Sequence, residues 1–272
     1  MGRYRVGCTG WGYDDWQGGF YPPGSPASEY LARYARVFDL VEVDSSFYRP
    51  PSVFLTRRWA DQTPEGFLFS LKLPRDITHH DPGSSLESMV RSFLEAVHPL
   101  RDSGKLGPLV AQYPPSFRRD RPGSAERFDR LLALVPSEYR LAVELRHGSW
   151  WTEATLAALR ARGAALVWSV VPGARAPFEA TADFLYVRFV GDRALTRFDG
   201  IQRDGREEML AMHAHLLQEG RSAREAFLLL NNHFMGFGPG TARLMQEMLG
   251  LPRADLGRAQ READQRTLAE FP

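Results

Sequence analysis

Cysteine is almost missing from this chain: Cys8 is the only one in 272 residues. One thiol cannot close an intramolecular disulfide, and it cannot supply a Cys-rich zinc or iron–sulfur site from a single chain. Lysine is nearly as scarce, with only Lys72 and Lys105 among 34 basic residues. The rest are arginines, so a surface arginine here reflects composition more than function. No apolar run exceeds strand length, and Met1-Gly2-Arg3-Tyr4-Arg5 leads into a short segment with no signal-peptide core. The sequence therefore reads as cytoplasmic, with no membrane partner. Formal net charge is only +1, too little to draw a polyanion by a global field, which makes nucleic acid a less favoured partner than a small molecule. Internal repeats, low-complexity tracts and Gly/Ser linkers are also lacking. The expectation is one domain over residues 1–252 and a polar tail over 253–272, helical or mobile.

What the chain does contain is ordinary globular material, 43% hydrophobic and 25% charged, enough for a large core. Short β-branched runs alternate with amphipathic stretches throughout, the pattern of βα units around a parallel sheet. Eight runs stand out: Tyr4–Cys8, Leu40–Asp44, Phe67–Lys72, Leu106–Gln112, Arg140–Arg146, Ala165–Val170, Phe184–Phe189 and Ala226–Asn231. Eight strands separated by helices predict an α/β fold, a single (β/α)₈ TIM-type barrel. Ser25-Pro26 reads as a helix start ahead of a stripe through Tyr30, Leu31, Tyr34, Val37 and Phe38. Thr152 reads as a cap for a helix ending at Gly163, and Thr241 as the start of the last clear helix.

In a barrel, the C-terminal strand ends and the loops after them form the mouth, where active sites lie. Polar residues collect at those ends. In Val41-Glu42-Val43-Asp44, alternation places both carboxylates on one face, and Val143-Glu144-Leu145-Arg146 repeats the device. Lys72 ends the third strand, Gln112 the fourth, Arg188 lies near the end of the seventh, and Asn231-Asn232 follow the eighth. Val, Ile and Leu would fill a core more stably, so six strands ending in polar side chains point to a pocket. Any single one of these residues is as readily explained as an ion-pair partner within the barrel.

Several of these segments together carry a family resemblance. Gly7-Cys8-Thr9-Gly10-Trp11, Val41 to Tyr48, Ala142 to Trp150, Tyr186-Val187-Arg188-Phe189 and Asn231-Asn232-His233 resemble the YecE-like family, domain of unknown function 72. The resemblance implies a TIM-barrel fold in a bacterial or archaeal cytosolic protein and supplies no activity. Asp44 stands where an Asn is usual in that family, and Val190 stands before Gly191 where a histidine is frequent, which changes the charge and proton inventory of the pocket.

Glu42, Asp44 and Glu144 balance Lys72, Arg146 and Arg188, an arrangement suited to an anionic, hydrogen-bonding substrate. Arginines grip carboxylate or phosphate in a bidentate manner, and Lys72 acts as a point charge or, with a lowered pKa, as a base. Glu42 and Glu144 are the acid/base candidates, with basic neighbours and burial able to move their pKa values in opposite directions. Trp11, Tyr13, Trp16, Tyr48, Tyr113, Trp150 and Phe234 frame the rim as stacking or plugging aromatics, Tyr48 foremost. His79, His80, His147 and His233 fall in mouth loops without the close His spacing of a metal site. Gly236, Gly238 and Gly240 precede the helix read from Thr241, a place where barrels bind phosphate.

The reading that follows is an enzyme needing neither metal nor other cofactor. It acts on a small phosphorylated or carboxylated, ring-containing substrate by a hydrolase, lyase or isomerase reaction. Glu42, Glu144 and Lys72 are its catalytic groups. Asp44, Tyr48, Gln112, Arg146, Arg188, Asn231, Asn232, Trp11 and Trp150 bind substrate. Two alternatives stand beside it: a metal-assisted phosphodiester hydrolase or sugar isomerase, and a non-catalytic module binding nucleic acid or a metabolite.

Overall fold

The eight runs become eight strands in a computed structural model that describes residues 2–171 and 176–260. They are β1 (Arg3–Thr9), β2 (Leu40–Val43), β3 (Leu68–Lys72), β4 (Leu106–Gln112), β5 (Leu141–Glu144), β6 (Ala165–Val170), β7 (Phe184–Phe189) and β8 (Glu225–Leu230). Each pairs in parallel with its sequence neighbours, and β1 closes the barrel against β8. β1 pairs with β8 from Arg3 to Cys8 but with β2 only at Cys8 and Thr9.

Alternation along the strands divides the side chains. Val41, Val43, Phe69, Leu71, Val143 and Val187 face outward into the layer packed beneath the helices. Leu40, Leu68, Val110, Ala142, Phe184 and Phe227 point inward and form a separate buried plug inside the barrel. Two residues further along several of these strands, the inward positions turn polar: Glu42, Ser70, Gln112, Glu144 and Tyr186, then Arg188. The interior is thus apolar at its base and charged toward the mouth, so the charged layer is supported from below by packed hydrocarbon.

Tyr34, fully buried, ties the first helix to this frame. Its hydroxyl donates to the Leu40 carbonyl at 2.8 Å and accepts from the Cys8 amide at 2.7 Å. Burial pushes the Cys8 thiol far above its ordinary pKa, which keeps the one cysteine unreactive. At the N-terminal ends of the strands, Arg5 bridges Asp39 at 2.7 Å and Glu225 at 2.6 Å, closing the base.

Most local punctuation follows the sequence. Thr152 caps the helix Glu153–Arg162 by accepting from the Thr155 amide at 3.3 Å, and Gly163 ends it with φ 66°. Two helix starts differ from expectation. Ser25 turns its hydroxyl back to the Pro22 carbonyl, and a 3₁₀ turn at Ala27–Glu29 precedes the helix Tyr30–Tyr34. The last helix begins at Gly238, with Pro239 in its first turn, so Thr241 lies inside it and donates back to the Phe237 carbonyl. Within the expected tail, Ala259 is buried, its carbonyl accepting from Arg33 at 3.0 Å, and Gln260 donates to the Gly18 carbonyl at 3.1 Å. Residues 261–272 of that tail lie outside the described residues. Among the described residues no helix is long and apolar enough to cross a membrane.

Candidate functional site

β7 reaches across the barrel through Arg188. Its Nη2 donates to Glu42 Oε1 at 2.6 Å, and its Nη1 donates to Glu144 Oε2. Glu42 Oε2 accepts from the Tyr186 hydroxyl at 2.8 Å, and Glu144 Oε1 accepts from Arg146 Nε at 2.7 Å. Every carboxylate oxygen of the pair is thereby occupied, and both residues are fully buried. Alternation turns the polar positions of three strands inward; barrel closure then makes β2, β5 and β7 face one another, so one guanidinium serves two carboxylates.

The two carboxyls do move in opposite directions. Burial raises Glu42 above its ordinary value, with Arg188 opposing the rise. Burial acts the same way on Glu144, but the Arg188 and Arg146 guanidiniums outweigh it and hold the group at about 2. Neither residue lines the open cavity above them. A general acid or base must reach the reacting proton directly or through one water; what Glu42 and Glu144 reach is Arg188, which they fix in place.

That cavity, about 520 Å³, is lined at its floor by Lys72, Gln112, Arg146, Arg188 and Asn232. Lys72 donates to Gln112 Oε1 at 3.0 Å, sits 3.3 Å from Asp44 Oδ1, and lies over the Phe47 ring at 4.3 Å. Burial lowers its pKa; Asp44 opposes the shift and Arg188 adds to it. Asp44 Oδ1 lies between Lys72 and Arg188, 3.6 Å from the latter, yet makes no hydrogen bond. Two buried donors also lack partners: Arg188 Nε and Asn232 Nδ2. Asn232 Oδ1 is taken by Trp16 Nε1 at 3.1 Å and the Gly238 amide at 2.8 Å, which fixes the amide plane. A buried donor without an acceptor costs roughly 1–3 kcal/mol, so this part of the structure leaves hydrogen-bonding capacity unmet.

Of the aromatics expected at the rim, Tyr48 lines the cavity and is 67% exposed. Trp150 does not reach it: at 1% exposure it stacks on Phe117, centroids 4.8 Å apart, and donates Nε1 to the Phe117 carbonyl at 2.8 Å. Trp11 packs edge-on against Trp59 at 5.4 Å and also lies outside the cavity. Trp16 and Tyr113 are buried beneath the mouth. The glycines after β8 serve packing, since a Cβ at Gly238 would lie 2.9 Å from Asn232 Oδ1 and one at Gly240 2.7 Å from the Phe237 ring. Asn231 lines the cavity and caps the short helix Asn232–Met235 by accepting from the His233 amide at 3.0 Å.

The loop after β7 adds lining groups that alternation could not identify: Asp192, Arg193 and Phe198. Its length, from Val190 to Gly205, was the available signal, because long ordered loops at a barrel mouth are usually functional. Gly191 turns there with φ 75°, where a Cβ would overlap the His233 carbonyl. Arg203 pins the loop to Asp192 at 2.7 Å and to the carbonyls of Phe234, at 2.6 Å, and His233. His233 lines the cavity, its Nδ1 2.9 Å from the Leu195 carbonyl. A carbonyl only accepts, so Nδ1 carries a hydrogen. His79 stands behind Phe47, 4.8 Å away, and burial together with Lys72 and Arg146 lowers it to about 4. Among the described residues no three His, Cys, Asp or Glu side chains gather as a metal would require.

Known proteins are similar to this chain in sequence and in fold. UPF0759 protein YunF of Bacillus subtilis (strain 168) is 26% identical over 279 aligned residues, covering 92% of this chain and 96% of YunF. UPF0759 protein YecE of Escherichia coli (strain K12) is 31% identical over 124 residues, covering 45% of this chain and 43% of YecE. A crystal structure of a DUF72 family protein from Thermotoga maritima MSB8 superposes with a TM-score of 0.76 at 28% identity, covering 91% of this chain and 99% of that one. The model of the family "Protein of unknown function DUF72" matches residues 5–266, and the chain belongs to that family.

Proposed function

We propose that the mouth cavity binds a small phosphorylated or carboxylated substrate and carries out proton-transfer chemistry on it. The observation that carries this reading is the pair of buried, unpartnered donors, Arg188 Nε and Asn232 Nδ2, in the same cavity wall as Lys72 and Arg146. Two N–H groups and two cations on one floor favour a ligand presenting several oxygens and negative charge. Glu42 and Glu144 act through Arg188 and Arg146, holding guanidiniums whose own rotation would otherwise blur the site. The acid/base role passes to Lys72 and Asp44, which line the cavity 3.3 Å apart and include a lysine whose pKa burial lowers. His233, whose Nδ1 donates to the Leu195 carbonyl, turns Nε2 toward the same site as a further polar contact for the substrate. Gln112 orients Lys72, and Tyr48 covers the substrate from the rim.

The test is a thermal-shift screen of the purified protein against inorganic phosphate, sugar phosphates, carboxylic acids and divalent metals. A ligand at about 100 times its Kd stabilises by about 2.7 kcal/mol. Stabilisation by anions in the presence of a chelator, lost in Asn232→Leu, supports the reading. Stabilisation only when a divalent metal is added overturns it in favour of metal-assisted chemistry.

A further inference from the structure

A second chamber, about 760 Å³, opens beside the mouth between Val171 and Phe178, the loop after β7 and the helix Arg206–Gln218. Val171, Gly191 and Asp192 line both spaces, so the two adjoin across this shared wall. Arg203 ties that wall together through Asp192 and the carbonyls after β8.

The two compartments differ in chemistry. The mouth offers cations and amide donors. The chamber is lined by the apolar side chains of Trp151, Phe178, Phe234 and Met212, with His215 packed against Phe178 at a centroid distance of 3.9 Å. Trp151 Nε1 is buried there without an acceptor. An indole N–H can only donate, so a ligand that reaches Trp151 Nε1 must bring an acceptor. At the chamber's exposed edge Glu208 lines the space, a carboxylate able only to accept when ionised. A donor and an acceptor flanking aromatic faces match the edge of a heteroaromatic ring that carries both a ring acceptor and an amino group.

We propose that this chamber is the ring subsite of a single ligand: a flat, amino-bearing heteroaromatic ring whose attached phosphate or carboxylate occupies the mouth, the chemistry of a nucleoside phosphate. The linkage rests on the anion reading of the mouth; the ring subsite rests on the chamber's own lining.

Three probes separate the two. Isothermal titration would be run with inorganic phosphate, adenosine and adenosine 5′-monophosphate on the full chain, on Trp151→Phe and on Glu208→Gln. Trp151→Phe keeps an aromatic ring and removes the donor, and Glu208 is exposed, so both variants retain the fold. The monophosphate is expected to bind the unaltered protein at least about tenfold more tightly than inorganic phosphate. Each variant is expected to weaken the monophosphate and adenosine about three- to tenfold while leaving inorganic phosphate unchanged. Equal affinity for phosphate and monophosphate, or variants that leave their ratio unchanged, overturns the ring subsite and spares the anion site. Adenosine binding that the variants weaken, without any phosphate binding, overturns the anion site and spares the ring subsite. Binding of none of the three overturns both.

Discussion

Arg188 Nη2 lies 2.6 Å from Glu42 Oε1, although the two residues come from strands with β8 and β1 between them on one side of the barrel. The same guanidinium serves Glu144, so a single cation neutralises much of two buried acids. Arg188→Leu should therefore cost about 3–5 kcal/mol, the price of leaving buried charge unpaired. Urea unfolding checks it, and a loss below about 1 kcal/mol would mean that the acids find their compensation elsewhere.

Acid should unfold the protein partly through Glu144. Its folded pKa, about 2, lies below the ordinary carboxyl value, so the unfolded chain binds more protons as pH falls. The stabilisation is complete above the unfolded pKa of about 4.3 and is lost as pH falls toward about 2. Urea midpoints measured across that window should decline less steeply in Glu144→Gln than in the unaltered chain. Parallel declines would remove Glu144 from the account.

Lys72 should make anion binding depend on alkali. Burial lowers its pKa, so the ammonium loses its proton, and the cavity a positive charge, at a pH below that of a solvated lysine. Affinity for inorganic phosphate should fall as pH rises through that pKa. Lys72→Met should bind at least about tenfold more weakly at neutral pH, with the alkaline fall abolished. Titration calorimetry at several pH values decides, and a variant that keeps the alkaline fall assigns it to another group.

Two aromatics that look alike in the sequence should respond differently. Tyr48→Ala, at a residue 67% exposed, should change stability by less than about 0.5 kcal/mol and weaken binding of a ring-bearing anion. Trp150→Ala, at a residue 1% exposed, should cost about 3–5 kcal/mol through the cavity it leaves. Thermal unfolding of both variants is the measurement, and comparable losses would contradict the separation.

Gly191→Ala should strain the wall between the two cavities. Its φ of 75° is unfavourable for any side chain, and the added methyl meets the His233 carbonyl. A loss of about 1–3 kcal/mol, with weaker phosphate binding, is expected from combined unfolding and titration experiments. Unchanged binding would show that this turn does not set the cavity's shape.

The strands and the polar character of their ends were legible in the sequence because alternation is a local property. Lys72, Gln112 and Arg188 fall where period two puts them, on the inner face. What alternation could not supply was depth and opposition. Glu42 and Asp44 share a face two residues apart, yet Glu42 is sealed below while Asp44 reaches the cavity, a difference set by where β2 ends relative to the floor. That Glu42 and Glu144 meet at one arginine depends on the stagger with which the barrel closes, a relation among residues more than 40 positions apart. Loops carry no period at all, so Trp150 could not be told from a rim residue: the 3₁₀ turn Gly148–Trp150 directs it beneath the mouth. For the same reason Asp192, Arg193 and Phe198 went unmarked.

The pairing of β1 with β8 along most of its length bears on how the molecule is made. A ribosome delivers Arg3–Thr9 first and Glu225–Leu230 more than two hundred residues later. Until then β1 has only its short contact with β2, and most of its backbone donors and acceptors on the far side remain open. At about 5–20 residues per second, that edge stays exposed for roughly ten seconds or more. Chaperone contact during synthesis should concentrate on this first strand, and a chain stalled before β8 should aggregate through it.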